Sequence, residues 1–142
     1  MKFWDASALI PLCLHERHSS ALKRLAQEDE ALVAWWGSPV ECLSAFARLR
    51  REATLSEVEE EQAGLILRTI QRTWTEVEPA NVVREQASRV LRLHPLRAAD
   101  ALQLAAALVW SQGDPLQREF ICLDQRLREA ARREGFTVLP KM

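Results

Sequence analysis

The sequence has little of several residue types on which whole classes of protein depend. Of its 142 residues none is tyrosine, four are glycine, three are histidine and three are cysteine. Cys13, Cys42 and Cys122 are far apart and set in apolar sequence, so they form neither a disulfide framework nor a motif with metal-ligand or redox spacing. We expect free buried thiols, as is usual in a reducing cytosol.

Long apolar runs and a strong charge imbalance are also missing. No stretch approaches the roughly 20 apolar residues of a membrane span. No signal peptide is expected, because Asp5 interrupts the first apolar run. The net charge of −1 gives no overall attraction to nucleic acid, so such binding would need a local basic patch. We therefore expect a cytoplasmic protein without a membrane segment.

The order of elements predicts a single α/β domain over residues 1–142. Short apolar segments alternate with helical patterns, which is typical of a parallel sheet covered by helices on both faces. The fold class expected is a three-layer α/β/α sandwich on a short parallel sheet. The predicted strands are 2–5, 31–36, 74–77, 119–123 and 136–139. The predicted helices are 6–14, 16–28, 38–52, a segment from 54 or 56 to 72, 79–93, 96–111 and 125–134.

Three of the five aspartates stand in apolar surroundings. Asp5 and Asp124 each follow a predicted strand, and Asp100 lies in the first turn of an alanine-rich helix. A buried carboxylate without a partner is costly or takes up a proton, so these positions call for a cation or a hydrogen-bond donor. Asp29, in a charged run, and Asp114, in a Gly-Asp-Pro turn, are expected to face solvent.

The topology predicts that four acids meet at one edge of the sheet. Ligands bind beyond the carboxyl ends of the strands in open α/β folds, which would bring Asp5 and Asp124 together. The helix starts that carry Glu41 and Asp100 face the same edge. Four carboxylates repel one another unless a cation is present. Oxygen ligands without histidine or cysteine favour Mg²⁺ or Mn²⁺, and such a site suits phosphodiester hydrolysis.

Each acid also has an ordinary structural interpretation. Asp5 and Asp124 could cap the helices that follow them. Asp100 could favour the dipole of its helix. In Ser-Pro-Val-Glu41 the serine would cap the helix and the glutamate would complete a capping box, which alone would explain Glu41. The four acids as a set are therefore stronger evidence than any single member.

Basic and hydroxyl side chains offer further candidates. Ser7 could be a helix cap or a hydroxyl beside Asp5, and the two roles are compatible. Arg97 could pair with a carboxylate of the site, contact phosphate, or simply be exposed. Candidate positions for binding a nucleic-acid backbone are Arg48, Arg50, Arg51, Arg126, Arg128, Arg132 and Arg133. Most of these would suit a solvated helix face with ion pairs equally well. The five tryptophans indicate core or dimer contacts, and no histidine pair suggests a general base.

The acidic motifs resemble one known family along nearly the whole chain. They are Asp5-Ala-Ser-Ala-Leu, Ser-Pro-Val-Glu41-Cys-Leu-Ser-Ala-Phe-Ala-Arg, Leu-Arg-Ala-Ala-Asp100-Ala-Leu-Gln-Leu-Ala-Ala-Ala-Leu and Phe-Ile-Cys-Leu-Asp124-Gln-Arg-Leu. In this order they look like the PIN domain of VapC-type toxin ribonucleases from toxin–antitoxin pairs. One position departs from the family: Cys122 stands where members commonly carry threonine or serine, and a thiol is the poorer hydrogen-bond partner.

The resemblance implies a PIN-like fold and a Mg²⁺- or Mn²⁺-dependent endoribonuclease. Asp5, Glu41, Asp100 and Asp124 match the family's acidic positions, where they would hold one or two metal ions and orient a water. The resemblance also implies a homodimer, structured RNA such as transfer or ribosomal RNA as substrate, and a small antitoxin that lays a helix across a groove of the toxin.

Two other functions stay open from the sequence. A catalytically silent PIN-like module could bind RNA or a protein without cleaving anything. A metal-dependent phosphatase on a similar sheet would use an aspartate nucleophile. Such enzymes often carry a second aspartate two residues after the first, where this chain has Ser7.

Overall fold

Five strands lie at the centre of the computed structural model, which describes all 142 residues. The strands are β1 (Lys2–Trp4), β2 (Leu32–Trp35), β3 (Thr75–Val77), β4 (Glu119–Ile121) and β5 (Thr137–Leu139). The helices are α1 (Ala6–Cys13), α2 (Ser19–Glu28), α3 (Ser38–Arg51), α4 (Glu57–Gln71), α5 (Asn81–Leu93), α6 (Ala98–Trp110) and α7 (Gln125–Glu134). Each predicted element is present, with ends that differ by a few residues.

The sheet is parallel throughout, in the order β3-β2-β1-β4-β5. The chain moves outward from β1 to β3 and then returns to the other side of β1 to form β4 and β5. The connections therefore leave β1 and β4 in opposite directions, which opens a crevice at the carboxyl ends of these strands. Trp4 pairs with Ile121 in register, so Asp5 and Asp124, which follow them, enter this crevice.

Helices cover both faces of the sheet because strand side chains alternate between the faces. Phe3 and Phe120 lie on one face and pack against buried apolar side chains of α5, α6 and α7. Trp4 and Ile121, each one residue further along, lie on the other face and pack against α1, α2, α3 and α4. The three-layer α/β/α sandwich expected from the sequence is confirmed. No helix has the length and apolar character needed to cross a membrane.

Asp29 does not face solvent, and that prediction was wrong. Its side chain is buried at the end of α2. Asp29 Oδ2 accepts hydrogen bonds from the backbone N–H of Lys2 at 3.2 Å and from the indole N–H of Trp4 at 3.0 Å. The terminal ammonium of Met1 lies 3.3 Å from Oδ1. Asp29 therefore fastens β1, the strand that leads to Asp5, to the segment between α2 and β2.

The prediction that Arg128 could bind a nucleic-acid backbone was also wrong, because its side chain is buried. Only 1% of it is exposed. Its Nη1 donates to the carbonyl of Cys122 at 2.6 Å, and its Nη2 donates to the carbonyl of Pro140 at 2.8 Å. The guanidinium thus ties the end of β4 to the end of β5. Arg50, Arg132 and Arg133 instead form ion pairs with glutamates.

Other expectations about burial hold. All three cysteines are free and buried, and Asp114 is exposed. Trp4, Trp35 and Trp74 are buried in the core, whereas Trp36 is 53% exposed.

Candidate active site

Asp5 lies in the crevice directly after β1 and is almost fully buried. It is the N-cap of α1, and its Oδ2 accepts hydrogen bonds from the backbone N–H of Ser7, at 3.1 Å, and from the Ser7 hydroxyl. Burial raises the pKa of Asp5 to about 6, although the two bonds from Ser7 act in the opposite direction, and the charge of Asp100 raises it further. Asp5 therefore caps a helix and also presents a desolvated carboxylate to the crevice.

Ser7 and Cys122 link Asp5 to the end of β4. The Ser7 hydroxyl donates to Asp5 and accepts a hydrogen bond from the N–H of Leu123 at 2.9 Å. Ser7 is thus the hydroxyl beside Asp5 rather than the cap of α1. The Cys122 thiol lies 3.5 Å from Asp5 Oδ2 and 3.6 Å from the carbonyl oxygen of Asp124. The thiol therefore contacts two of the acidic residues.

Glu41 lies in the first turn of α3, but the capping box predicted there is absent. Gly37 occupies the N-cap position, and no side chain caps the helix. Ser38 belongs to the helix and is fully buried. Glu41 Oε2 instead accepts a hydrogen bond from Nε2 of Gln103 in α6 at 2.7 Å. The local pattern was misleading because a contact between two helices decides where the Glu41 side chain lies.

Burial also changes the acidity of Glu41. It raises the pKa of Glu41 to about 7, against the hydrogen bond from Gln103, which lowers it. The charges of Asp5 and Asp100 raise the pKa further. Glu41 therefore lies in the same electrostatic environment as these two aspartates.

Asp100 and Asp124 lie at the more open side of the crevice. Asp100, in the first turn of α6, is partly exposed. Its pKa is raised by burial and by the charge of Asp124, whereas Arg97 and Arg126 lower it. Asp124 is the N-cap of α7, as the structural interpretation predicted, and its Oδ1 accepts a hydrogen bond from the N–H of Leu127 at 2.9 Å. This bond leaves the other carboxylate oxygen of Asp124 unengaged.

The structure places the four acids close enough for their charges to interact. Asp100 and Asp5 each raise the pKa of Glu41, and Asp124 raises that of Asp100. No three Asp, Glu, His or Cys side chains lie close enough together to hold a metal ion directly. The carboxylates of the crevice therefore interact electrostatically, but their side chains do not form a complete set of metal ligands. His94 is not part of the crevice, since its Nε2 pairs with Glu134 at 2.7 Å.

Gln103 is the residue of the site that sequence reasoning missed. It contacts Glu41 from the neighbouring helix. A signal was present, because Gln103 is the one polar residue in the apolar stretch from 101 to 110. Its partner could not be inferred, because Glu41 is 62 residues away in the chain.

Comparison with known proteins assigns the family. No family model matches the chain. Ribonuclease VapC45 of Mycobacterium tuberculosis (strain CDC 1551 / Oshkosh) is 31% identical over 145 residues, which cover 97% of this chain and 94% of VapC45. The chain belongs to the VapC ribonuclease family. Its parallel sheet with helices on both faces is that of a VapC protein with a PIN-like fold.

Solved structures agree with the VapC fold. One is VapC20 of Mycobacterium tuberculosis, described as a sarcin-ricin loop cleaving toxin. Its TM-score is 0.68 at 17% identity, with 96% of this chain and 97% of VapC20 covered. A toxin–antitoxin complex from Klebsiella pneumoniae gives a TM-score of 0.59 at 15% identity, with 89% and 88% covered. At such low identities these structures support the fold alone.

Proposed function

We propose that this VapC-family protein is a Mg²⁺- or Mn²⁺-dependent endoribonuclease and the toxin of a toxin–antitoxin pair. The observation that carries the proposal is the meeting of four carboxylates at the crevice of the sheet, where burial raises the pKa of Asp5, Glu41 and Asp100. The relationship to VapC45, which is named a ribonuclease, supports RNA as the substrate.

The donor set fits a hard divalent cation. The available ligands are carboxylate oxygens, which suit Mg²⁺ and Mn²⁺ better than zinc. Burial raises the pKa of the Cys122 thiol, so this sulfur is protonated and is a poor ligand. Because no three side chains converge on one point, water would complete the coordination, as is usual for Mg²⁺. When bound, the cation would supply the Lewis acidity that activates water and stabilises charge on the leaving oxygen.

The protein's own side chains have different tasks in this proposal. Asp5 accepts two hydrogen bonds from Ser7 at its Oδ2, whereas Glu41 and Asp124 each accept one. Asp100 and Asp124 lie where solvent and RNA can reach them. Arg97 and Arg126 are exposed and near enough to lower the pKa of Asp100. We expect these two arginines to contact RNA phosphates beside the scissile bond.

The proposed partner is a small antitoxin. A groove of about 820 Å³ runs between α3 and α4 and exposes Leu43 at its wall. Most residues that line this groove are polar or charged, so a helix bound between α3 and α4 would combine an apolar contact at Leu43 with ion pairs. The similarity of the fold to a chain of the toxin–antitoxin complex from Klebsiella pneumoniae supports this partner. A homodimer, expected from the family resemblance, and a cytoplasmic location, expected from the sequence, are part of the same proposal.

Cleavage of RNA by the purified protein tests the proposed activity. We expect transfer or ribosomal RNA to be cut with Mg²⁺ or Mn²⁺ present, and not in EDTA, because the carboxylates alone do not activate water. Adding the cation back should restore cleavage. A silent module would bind RNA without cutting it. A phosphatase would hydrolyse p-nitrophenyl phosphate and leave RNA intact. Either of these results would contradict the proposal.

A further inference from the structure

Gln103 joins the two helices that carry Glu41 and Asp100. It lies in α6 and is fully buried. Its Nε2 donates one hydrogen bond to Glu41 Oε2 at 2.7 Å and another to the Ser38 hydroxyl at 3.0 Å. Both acceptors belong to α3. Both N–H groups of the Gln103 amide therefore bind the first turn of α3 and hold it against α6.

This arrangement is unfavourable for stability. Gln103 Oε1 is buried and has no hydrogen-bond partner. A buried acceptor without a partner loses its hydration and gains nothing in return. A methionine or leucine of similar volume would fill the same space without that penalty, although Ser38 and Glu41 would then lose their donor. Packing alone therefore does not account for glutamine here, and an unsatisfied buried group of this kind calls for a functional explanation.

The geometry relates Gln103 to the acids of the site. Gln103 follows Asp100 by three residues, so the two side chains lie on the same face of α6. The bond to Glu41 Oε2 leaves Glu41 Oε1 without a protein partner. An arginine or lysine at this position would neutralise the charge of the Glu41 carboxylate. The amide of Gln103 carries no charge, so it orients the carboxylate and leaves its charge in place.

We propose that Gln103 is a positioning residue of the nuclease site. It holds Glu41 by one oxygen at a fixed place relative to Asp100 and leaves the other oxygen for a cation or a water molecule. This inference rests on the proposed function, because it assigns a task to a residue of that same site.

Gln103→Met tests the role, because it keeps the volume of the side chain and removes both donors. We expect kcat for RNA cleavage to fall about 10- to 100-fold, as is typical when a partner of a metal ligand is lost. KM for RNA should change by less than about threefold, because RNA binding is not affected. Mn²⁺ binding without RNA should weaken about 10-fold. The urea midpoint should fall modestly, because the buried Ser38 hydroxyl and Glu41 lose their donor, and removal of the orphaned oxygen offsets only part of that cost.

Two further variants separate positioning from packing. Gln103→His restores an N–H donor at a similar distance from the backbone, so cleavage and Mn²⁺ binding should recover largely. Ser38→Ala removes only the second acceptor of the amide, so cleavage should fall by less than about threefold. If Gln103→Met fails to fold, RNA cleavage and Mn²⁺ binding by Gln103→His test the positioning role instead. A folded histidine variant with little activity and weak Mn²⁺ binding would overturn the role.

The outcomes also separate this inference from the proposed function. Wild-type protein that never cleaves RNA would refute the function, and the inference with it. Wild type that cleaves RNA, together with Gln103→Met that cleaves and binds Mn²⁺ equally well, would refute only the positioning role. A drop in the urea midpoint of Gln103→Met with unchanged kcat would show a structural role and would likewise refute it.

Discussion

Replacing Asp100 with asparagine should reduce RNA cleavage by at least about 100-fold and leave the fold intact. The loss of a residue that only supports a metal ligand typically costs about 10- to 100-fold, so the loss of a ligand should cost at least as much as the upper end of that range. The fold should survive because Asp100 is only partly buried and no hydrogen bond contributes to its pKa. Gel analysis of RNA fragments, with circular dichroism of the variant, checks both parts.

Asp114→Asn is the matched control for this prediction. Asp114 is exposed just beyond α6, so the same chemical change there should leave cleavage at the wild-type rate. Full Mg²⁺-dependent cleavage by folded Asp100→Asn, or by the double variant Asp5→Asn/Asp100→Asn, would show that these carboxylates do not carry the reaction.

The second large effect concerns stability, at Asp29. Asp29→Ala should lower the free energy of unfolding by about 3 kcal/mol, because the N–H groups of Lys2 and Trp4 lose their acceptor and each unsatisfied buried donor costs about 1–3 kcal/mol. Asp29→Asn keeps an acceptor oxygen and should lose less than half as much. Urea denaturation, followed by tryptophan fluorescence, measures both variants.

Asp114→Ala serves as the surface control in the same experiment, and it should stay within about 0.5 kcal/mol of wild type. An Asp29→Ala variant that is equally stable would mean that the Asp29 side chain does not fasten β1. Since β1 leads directly to Asp5, we also expect the alanine variant to cleave RNA more slowly at temperatures near its unfolding transition.

Local sequence patterns were sufficient to predict the fold class and to place Asp5 and Asp124 at the ends of strands. Apolar segments of four to six residues between helical patterns indicate buried parallel strands, and Asp5 and Asp124 stand directly beyond two of them. Their place at the carboxyl-end edge follows from a parallel sheet, whereas the structure shows that β1 and β4 are neighbours at its switch point. The position of Asp100 follows similarly from the start of α6.

Contacts between distant segments could not be predicted from sequence. Ser38 and Glu41 have capping-box spacing, yet their partner is Gln103 in another helix. Asp29 lies between two exposed glutamates, and only the approach of Trp4, 25 residues away, makes it a buried acceptor. Charge patterns along one element do not reveal such pairs, because the partner belongs to another element.

Binding of Mn²⁺ before RNA is added tests most directly whether the four carboxylates form a metal centre. The electron paramagnetic resonance signal of free Mn²⁺ measures the bound fraction during a titration. We predict that wild type and Asp114→Asn bind Mn²⁺ with equal affinity and that Asp100→Asn binds at least about 10-fold more weakly. Equal and negligible binding by wild type and Asp100→Asn would contradict the metal centre and would favour a catalytically silent PIN-like module.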